Sequence, residues 1–265
     1  VLFSNQLKPA KGMEMPSFHN TVIAHRGASA YAPENTIPAF LRAIELGASW
    51  IEFDVNFTKC GTPVVFHDYN LQRLLGINGK IYDYTFKYLR NLAIKANGDV
   101  ATAYISSLCE VLNYLAAYDV SLNIEIKLRR SFIDLFIVNL LADIANSKFA
   151  TNKILVSSFS LPMLRQVRRH ASSLAIAYIA HTLQKHKIKT LRQINAVGYV
   201  ISIRKIDREV VNYIHEQGLK VLVYTVNRKQ VAHELFALGV DAVFSDHPDV
   251  LLIDSKKNGD EDEKY

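Results

Sequence analysis

Short β-branched runs alternate with helical segments along almost the whole chain, and this alternation limits the possible folds more than any other feature. The apolar runs fall at 21–24, 50–55, 63–66, 122–126, 154–157, 174–179, 198–203, 220–226 and 241–244. Between most of them lie stretches with a period near 3.6, among them 36–46, 108–117, 132–145, 207–216 and 228–238. Gly47, Gly218 and Gly239 stand where helices end, each shortly before the next apolar run. Alternating strands and helices predict parallel strands joined by helical crossovers.

Nine strand candidates are one too many for a (β/α)8 TIM barrel, and spacing shows which to set aside. Starts near 21, 50, 122, 154, 174, 198, 220 and 241 are separated by 20–32 residues, except for one step of 72. A barrel of this kind averages about 31 residues per unit. The long step therefore carries an insertion, placed at 56–107, with 63–66 at its start. A doubly wound open sheet is the alternative, but the chain has no GxGxxG or GxxxxGK[ST] turn. The expected organisation is one barrel over 1–265, followed at 254–265 by a flexible acidic tail.

Composition narrows the function classes. With 265 residues, 49% hydrophobic, the chain can bury roughly 70–75% of its unfolded surface, so no disulfide framework is needed. Cys60 and Cys109 form no metal-binding pattern and are expected as free thiols, which favours a cytoplasmic location. The chain begins on Val, so a periplasmic or secreted location is the alternative if an export signal was removed. The apolar stretch 132–145 is interrupted by Asp134, Asn139 and Asp143, so no transmembrane segment is expected. Net charge is +6, with small basic clusters at 165–169 and 185–189. These read as solvated helix faces, and no nucleic-acid partner is expected.

Polar residues at the C-terminal ends of barrel strands face the mouth. They include His25-Arg26-Gly27, Glu52-Phe53-Asp54 and Glu125-Ile126-Lys127, while the insertion strand runs into His67-Asp68. Glu52 and Asp54 share a strand face, and carboxylates inside apolar runs are costly unless paired or metal-bound. Glu52, Asp54 and Glu125 converging on one point would select a hard cation, Mg2+ or Ca2+. The competing reading is a buried ion-pair network with Lys127 or Arg26. His25 and His67 suit proton transfer, and Arg26 and Lys127 suit a phosphate oxygen. Acids for a cation, imidazoles for protons and cations for an anion together point to phosphoryl transfer.

The segments Ala24-His25-Arg26-Gly27-Ala28-Ser29, Pro33-Glu34-Asn35-Thr36, Glu52-Phe53-Asp54-Val55 and Val64-Val65-Phe66-His67-Asp68 resemble the glycerophosphodiester phosphodiesterase family. Asn123-Ile124-Glu125-Ile126-Lys127, Ser157-Ser158-Phe159, Tyr224-Thr225-Val226-Asn227 and Ser245-Asp246-His247-Pro248 continue the likeness in order. The resemblance implies a TIM barrel with a small insertion after the second strand. It also implies divalent-cation-dependent hydrolysis of a small phosphodiester to an alcohol and sn-glycerol 3-phosphate. By position, Glu52, Asp54 and Glu125 resemble the metal ligands, and His25 and His67 the acid/base pair. Arg26 and Lys127 resemble the phosphate contacts, while Glu34 and Asn35 resemble buttresses of the first loop.

Phe159 and Tyr224 are candidates to pack the glycerol or headgroup, or simply the barrel mouth. The expected mechanism has His25 as base and His67 as acid. Departures from the family pattern at Cys60, at Leu74-Leu75, at Ser106-Ser107 and at Tyr224 touch substrate-facing parts, so they bear on headgroup preference. Phospholipase D-type cleavage of lysophospholipid or sphingomyelin, and a non-catalytic anion-binding barrel, are the rival functions. Oligomeric state is not legible.

Overall fold

The computed structural model describes residues 18–94, 103–127 and 133–252. Its strands begin with β1 (Thr21–Ala24), β2 (Trp50–Phe57), β3 (Pro63–Val65), β4 (Ala93–Ile94) and β5 (Ala103–Tyr104). They continue with β6 (Ser121–Ile126), β7 (Ile154–Ser158), β8 (Ala175–Ala180), β9 (Gly198–Ser202), β10 (Lys220–Tyr224) and β11 (Ala242–Ser245). The helices are α1 (Ile37–Glu45), α2 (Gln72–Leu75), α3 (Phe86–Leu89), α4 (Leu108–Leu115) and α5 (Ile133–Asn146). After them come α6 (Leu161–His170), α7 (Lys185–Gln193), α8 (Arg208–Glu216), α9 (Lys229–Ala237) and α10 (Pro248–Leu252).

The order β1-β11-β10-β9-β8-β7-β6-β2 closes through β1–β2 pairing, and every neighbouring pair in that ring is parallel. This is a closed (β/α)8 TIM barrel. β3 stands outside the ring, antiparallel to the end of β2. That pairing carries β2 to Phe57, two residues past its expected end, because Val55, Asn56 and Phe57 gain partners in Val65, Val64 and Pro63. β10 stops at Tyr224, short of the expected 226. Helices α6 and α7 coincide with the two basic clusters.

Alternation along each strand divides the core into two layers. Ile51, Phe53 and Val55 of β2 and Leu122, Ile124 and Ile126 of β6 face the helices and join the large outer core. Ile23, Trp50, Leu155, Ala175, Ala177, Ile179, Val200, Leu222, Ala242 and Phe244 form a second cluster with Phe18. Trp50 shares its strand face with Glu52 and Asp54, so the barrel interior is apolar below and acidic towards the C-terminal end. The segment after β3 builds its own small core from Val64, Phe66, Leu71, Leu74, Leu75, Ile81, Leu89, Ile94 and Ile105. Residues 95–102, the acidic stretch 254–265 and the first seventeen residues lie outside the described part. Cys60 and Cys109 are free thiols. Among the described residues no helix is long and apolar enough to cross a membrane.

Helix α1 is started by Thr36, whose hydroxyl accepts from the Ala39 amide, with a proline in the first turn. It packs directly on the turn after β1, where the Ala28 amide donates to the Ala39 carbonyl at 2.9 Å. Gly27 makes that approach possible: its φ is +79°, and a Cβ there would lie 2.7 Å from the Ala39 carbonyl carbon and oxygen. Gly27→Ala is expected to destabilise by about 2–3 kcal/mol, combining backbone strain with overpacking. A urea midpoint within error of wild type at unchanged m would refute this close-contact reading.

Candidate active site

Register explains why three acids meet. Asp54 on β2 lies directly opposite Glu125 on β6, and Glu52 is opposite Asn123, so all four side chains share the interior face. Oxygens of Glu52, Asp54 and Glu125 lie within 4.8 Å of one another, and all three residues are buried. At an effective dielectric of about 20, two such charges repel by roughly 3 kcal/mol or more.

Two cations offset part of that repulsion. Lys127 Nζ sits 2.5 Å from Glu125 and 3.2 Å from Asp54. Arg26 Nε is 3.3 Å from Asp54, while its Nη1 donates to Glu34 at 2.8 Å. The Arg26 amide donates to Glu52 Oε2 at 2.8 Å, from a backbone held at φ +56°. Asn35, also left-handed at φ +60°, donates to Asp54 Oδ2 and accepts from the Asp54 amide, each at 2.9 Å. Both expected buttresses are therefore in contact with the acidic cluster or its counter-ion.

The protonation balance shows the crowding. Burial, with the Asp54 and Glu125 charges added, holds the Glu52 carboxyl well above its ordinary range. Burial and Asp54 push Glu125 up to about 7 against the opposing pull of Lys127. Burial would raise Asp54 as well, but Lys127, Arg26 and His67 outweigh it and bring it to about 2. Glu52 Oε1 is buried and makes no hydrogen bond, and the same holds for Asn123 Oδ1, opposite it on β6, and for Ser157 Oγ, opposite Glu125 on β7. A hard, oxygen-seeking divalent cation fits this donor set, since it would satisfy an orphaned carboxylate oxygen and neutralise the cluster.

The two histidines flank the acids, each oriented by its own aspartate. His25 Nδ1 lies 2.7 Å from Asp246 Oδ1, and Asp246 also accepts from Ser29 and from Asn227 Nδ2. His67 Nδ1 lies 2.6 Å from Asp68 Oδ1. Arg73, on α2, contacts Asp68 through Nε at 2.6 Å and Glu34 through Nη1 at 2.7 Å. The post-β3 segment thus ties His67 to the first loop. Burial, reinforced by Arg26 and Lys127, holds His67 below the usual histidine range despite the pull of Asp54 and Asp68.

A cavity of about 400 Å³ opens between these groups and the aromatic wall of Phe159, Tyr224 and His181. His181 Nδ1 is 3.0 Å from the Tyr224 hydroxyl, and its ring centroid is 5.0 Å from that of Phe159. Every site residue expected from sequence is at this mouth or bonded to a residue that is. Asp246, Arg73, Asn123 and His181 were not assigned roles from sequence. Asp246 and Asn123 lie in the quoted family-like segments, and Arg73 stands in the family-like Leu-x-Arg run Leu71-Gln72-Arg73, whereas nothing local marks His181.

The sequence pattern of the glycerophosphoryl diester phosphodiesterase family matches residues 25–250. The chain belongs to that family. A glycerophosphodiester phosphodiesterase of Caldanaerobacter subterraneus subsp. tengcongensis is 33% identical over 240 residues, covering 90% of this chain and 98% of that protein. One from Bacillus altitudinis is 30% identical over 235 residues, covering 86% and 95%. Among solved structures, an Oleispira antarctica phosphodiesterase in complex with the product sn-glycerol-3-phosphate superposes with a TM-score of 0.82. It is 28% identical and the match covers 90% of this chain and 96% of that one. The Thermotoga maritima glycerophosphodiester phosphodiesterase superposes at 0.71 with 25% identity, covering 90% and 99%.

Metal-free protein should show the crowding directly. Glu125 has a folded pKa above its ordinary 4.5, so its contribution to stability is fully present below about 4.5 and is lost as pH rises through about 7. Relative to Glu125→Gln, the metal-free wild type is expected to lose urea stability across that window, and Mg2+ or Ca2+ to remove the loss. A pH-independent difference between the two proteins would contradict the crowded-carboxylate account.

Proposed function

We propose that this family member hydrolyses glycerophosphodiesters to an alcohol and sn-glycerol 3-phosphate, using a divalent cation held by Glu52, Asp54 and Glu125. The catalytic unit is a single barrel, with residues 56–107 as its insertion. The observation carrying the reading is the placement of two aspartate-oriented histidines beside a buried carboxylate trio with its orphaned Glu52 oxygen. A bound cation would polarise a phosphoryl oxygen and favour deprotonation of a nearby hydroxyl. Mg2+ and Ca2+ both match an all-oxygen donor set.

This chain's own groups do the rest. Arg26 and Lys127 present positive charge at the acidic cluster, in reach of a phosphate oxygen as well as of their carboxylates. Charge bookkeeping supports the assignment: three carboxylates, two side-chain cations, a dication and a monoanionic diester sum to zero. His67, disfavoured as imidazolium, suits the proton acceptor; His25, whose Nδ1 proton is accepted by Asp246, then protonates the departing alcohol oxygen. This order is the reverse of the one the motifs alone suggest. The acceptor's proton comes from the substrate's glycerol hydroxyl beside the ester, giving a cyclic phosphate that water opens. Phe159 and Tyr224 wall the cavity where the organic part of the diester packs.

Release of sn-glycerol 3-phosphate from glycerophosphoglycerol is expected to stop with EDTA and return with Mg2+ or Ca2+. Activity indifferent to EDTA would remove the metal from the proposal, and no activity with any cation would favour the anion-binding barrel. His25→Ala and His67→Ala are each expected to lower kcat by about 10²-fold or more with an unchanged unfolding midpoint. In the pH profile of kcat/KM, His67→Ala is expected to lose the acidic limb. Loss of the basic limb instead would restore the order read from the motifs.

A further inference from the structure

Charge is distributed very unevenly along this chain. Residues 144–206 contain eleven Lys and Arg and no Asp or Glu, whereas outside them 20 basic side chains face 25 acidic ones. In the fold this acid-free stretch is one contiguous sector, β7 through β9 with α6 and α7, and Arg165 on α6 reaches Thr190 on α7. Not all of its cations are available. Arg168 is half-buried and spends its guanidinium on the Ile194 and Asn195 carbonyls at the end of α7, and Lys187 bonds the Tyr178 hydroxyl. Those at the mouth are different. Lys185 opens α7 and lies over the Tyr213 ring, and Arg204 and Lys205 are exposed in the short helical turn that directly follows β9. His181, in the preceding loop, lines the cavity itself.

With the proposed metal in place, the cavity offers no uncommitted carboxylate to a cationic headgroup. Its lining carboxylates, Glu52 and Glu125, belong to the proposed metal cluster along with Asp54. The nearby Glu34 is held by Arg26 and Arg73, Asp68 by His67 and Arg73, and Asp246 by His25 and Asn227. In the aromatic wall Phe159 is engaged as well, because Lys127 Nζ stands 5.8 Å from its ring centroid. A quaternary ammonium placed there would meet an ammonium already at the π-face.

We propose that the basic rim of His181, Lys185, Arg204 and Lys205, together with a cavity whose carboxylates are all committed, selects glycerophosphodiesters with an anionic headgroup over those with a cationic one. This selection rests on the diesterase reading and names its substrate class. The rim acts through its field: clefts edged by one sign of charge raise the local concentration and capture rate of oppositely charged ligands, and salt screens the effect.

Three diesters that differ in headgroup charge test it: bis(glycerophospho)glycerol, glycerophosphoglycerol and glycerophosphocholine, carrying negative, neutral and positive headgroups. At low ionic strength kcat/KM is expected to fall in that order, by about tenfold or more from first to last beyond the factor of about two given by the first compound's two ends. The spread should narrow as salt is raised. The double substitution Arg204→Glu with Lys205→Glu is expected to lower kcat/KM for the anionic diester about threefold or more, leaving glycerophosphocholine unchanged or improved. Glycerophosphocholine turned over as well as the anionic diester at low salt would overturn the proposal, as would a spread insensitive to salt. So would a double variant that lowers all three alike. Hydrolysis of none of them defeats the diesterase reading itself, an outcome distinct from hydrolysis without charge preference.

Discussion

Mutual repulsion among Glu52, Asp54 and Glu125 is the constraint around which the mouth of this barrel is organised. Three carboxylates within 4.8 Å of one another, all buried, cannot remain together as free anions without strong compensation. Lys127 and Arg26 supply part of it, and both are themselves held by the same acids they neutralise. The left-handed backbone at Arg26 and Asn35 belongs to the same solution, since it aims an amide at Glu52 and a carboxamide at Asp54. What is left over is an acceptor without a donor at Glu52 Oε1 and a residual negative charge. Both are compatible with a divalent cation at this position.

The scaffold makes such an unfavourable cluster tolerable by separating its roles in space. Outward positions on the strands form one apolar core with the helices, and the lower barrel interior forms another around Trp50 and Phe244. The acids occupy only the C-terminal end of that interior, where loops and solvent meet. A third core under the post-β3 segment anchors α2, and α2 carries Arg73 to Asp68 and Glu34. The insertion thereby contributes orientation of His67. The matched family pattern runs from His25, the first mouth residue, to residue 250 in the last helix.

A second organising property is the charge asymmetry between the sector 144–206 and the remainder. Phe159 and His181 of that sector line the cavity, whereas its exposed cations Lys185, Arg204 and Lys205 stand apart from the acids and from His25 and His67, so the proposed headgroup selection and the chemistry on the phosphate fall to different groups. On the proposed reading, the acidic cluster brings a phosphoryl group and a cation together, and the basic rim favours anionic diesters.

Much of this was legible in the chain. The period of strand and helix, one step of 72 residues and the absence of a glycine-rich phosphate turn were enough for a barrel with an insertion. Ionisable residues interrupting β-branched runs marked Glu52, Asp54 and Glu125, because only a strand face turned to the mouth makes their burial affordable. Sequence could not choose between a metal site and an ion-pair network, since that choice depends on distances between strands; the register of β2 on β6 brought Asp54 opposite Glu125 and left one oxygen of Glu52 unpartnered. Nor could it join His25 to Asp246, 221 positions away, or Arg73 to Glu34, because such pairs exist only once the barrel closes. Local chemistry along the chain set which groups were available. Closure of the sheet, which brings β11 back against β1, decided which of them touch.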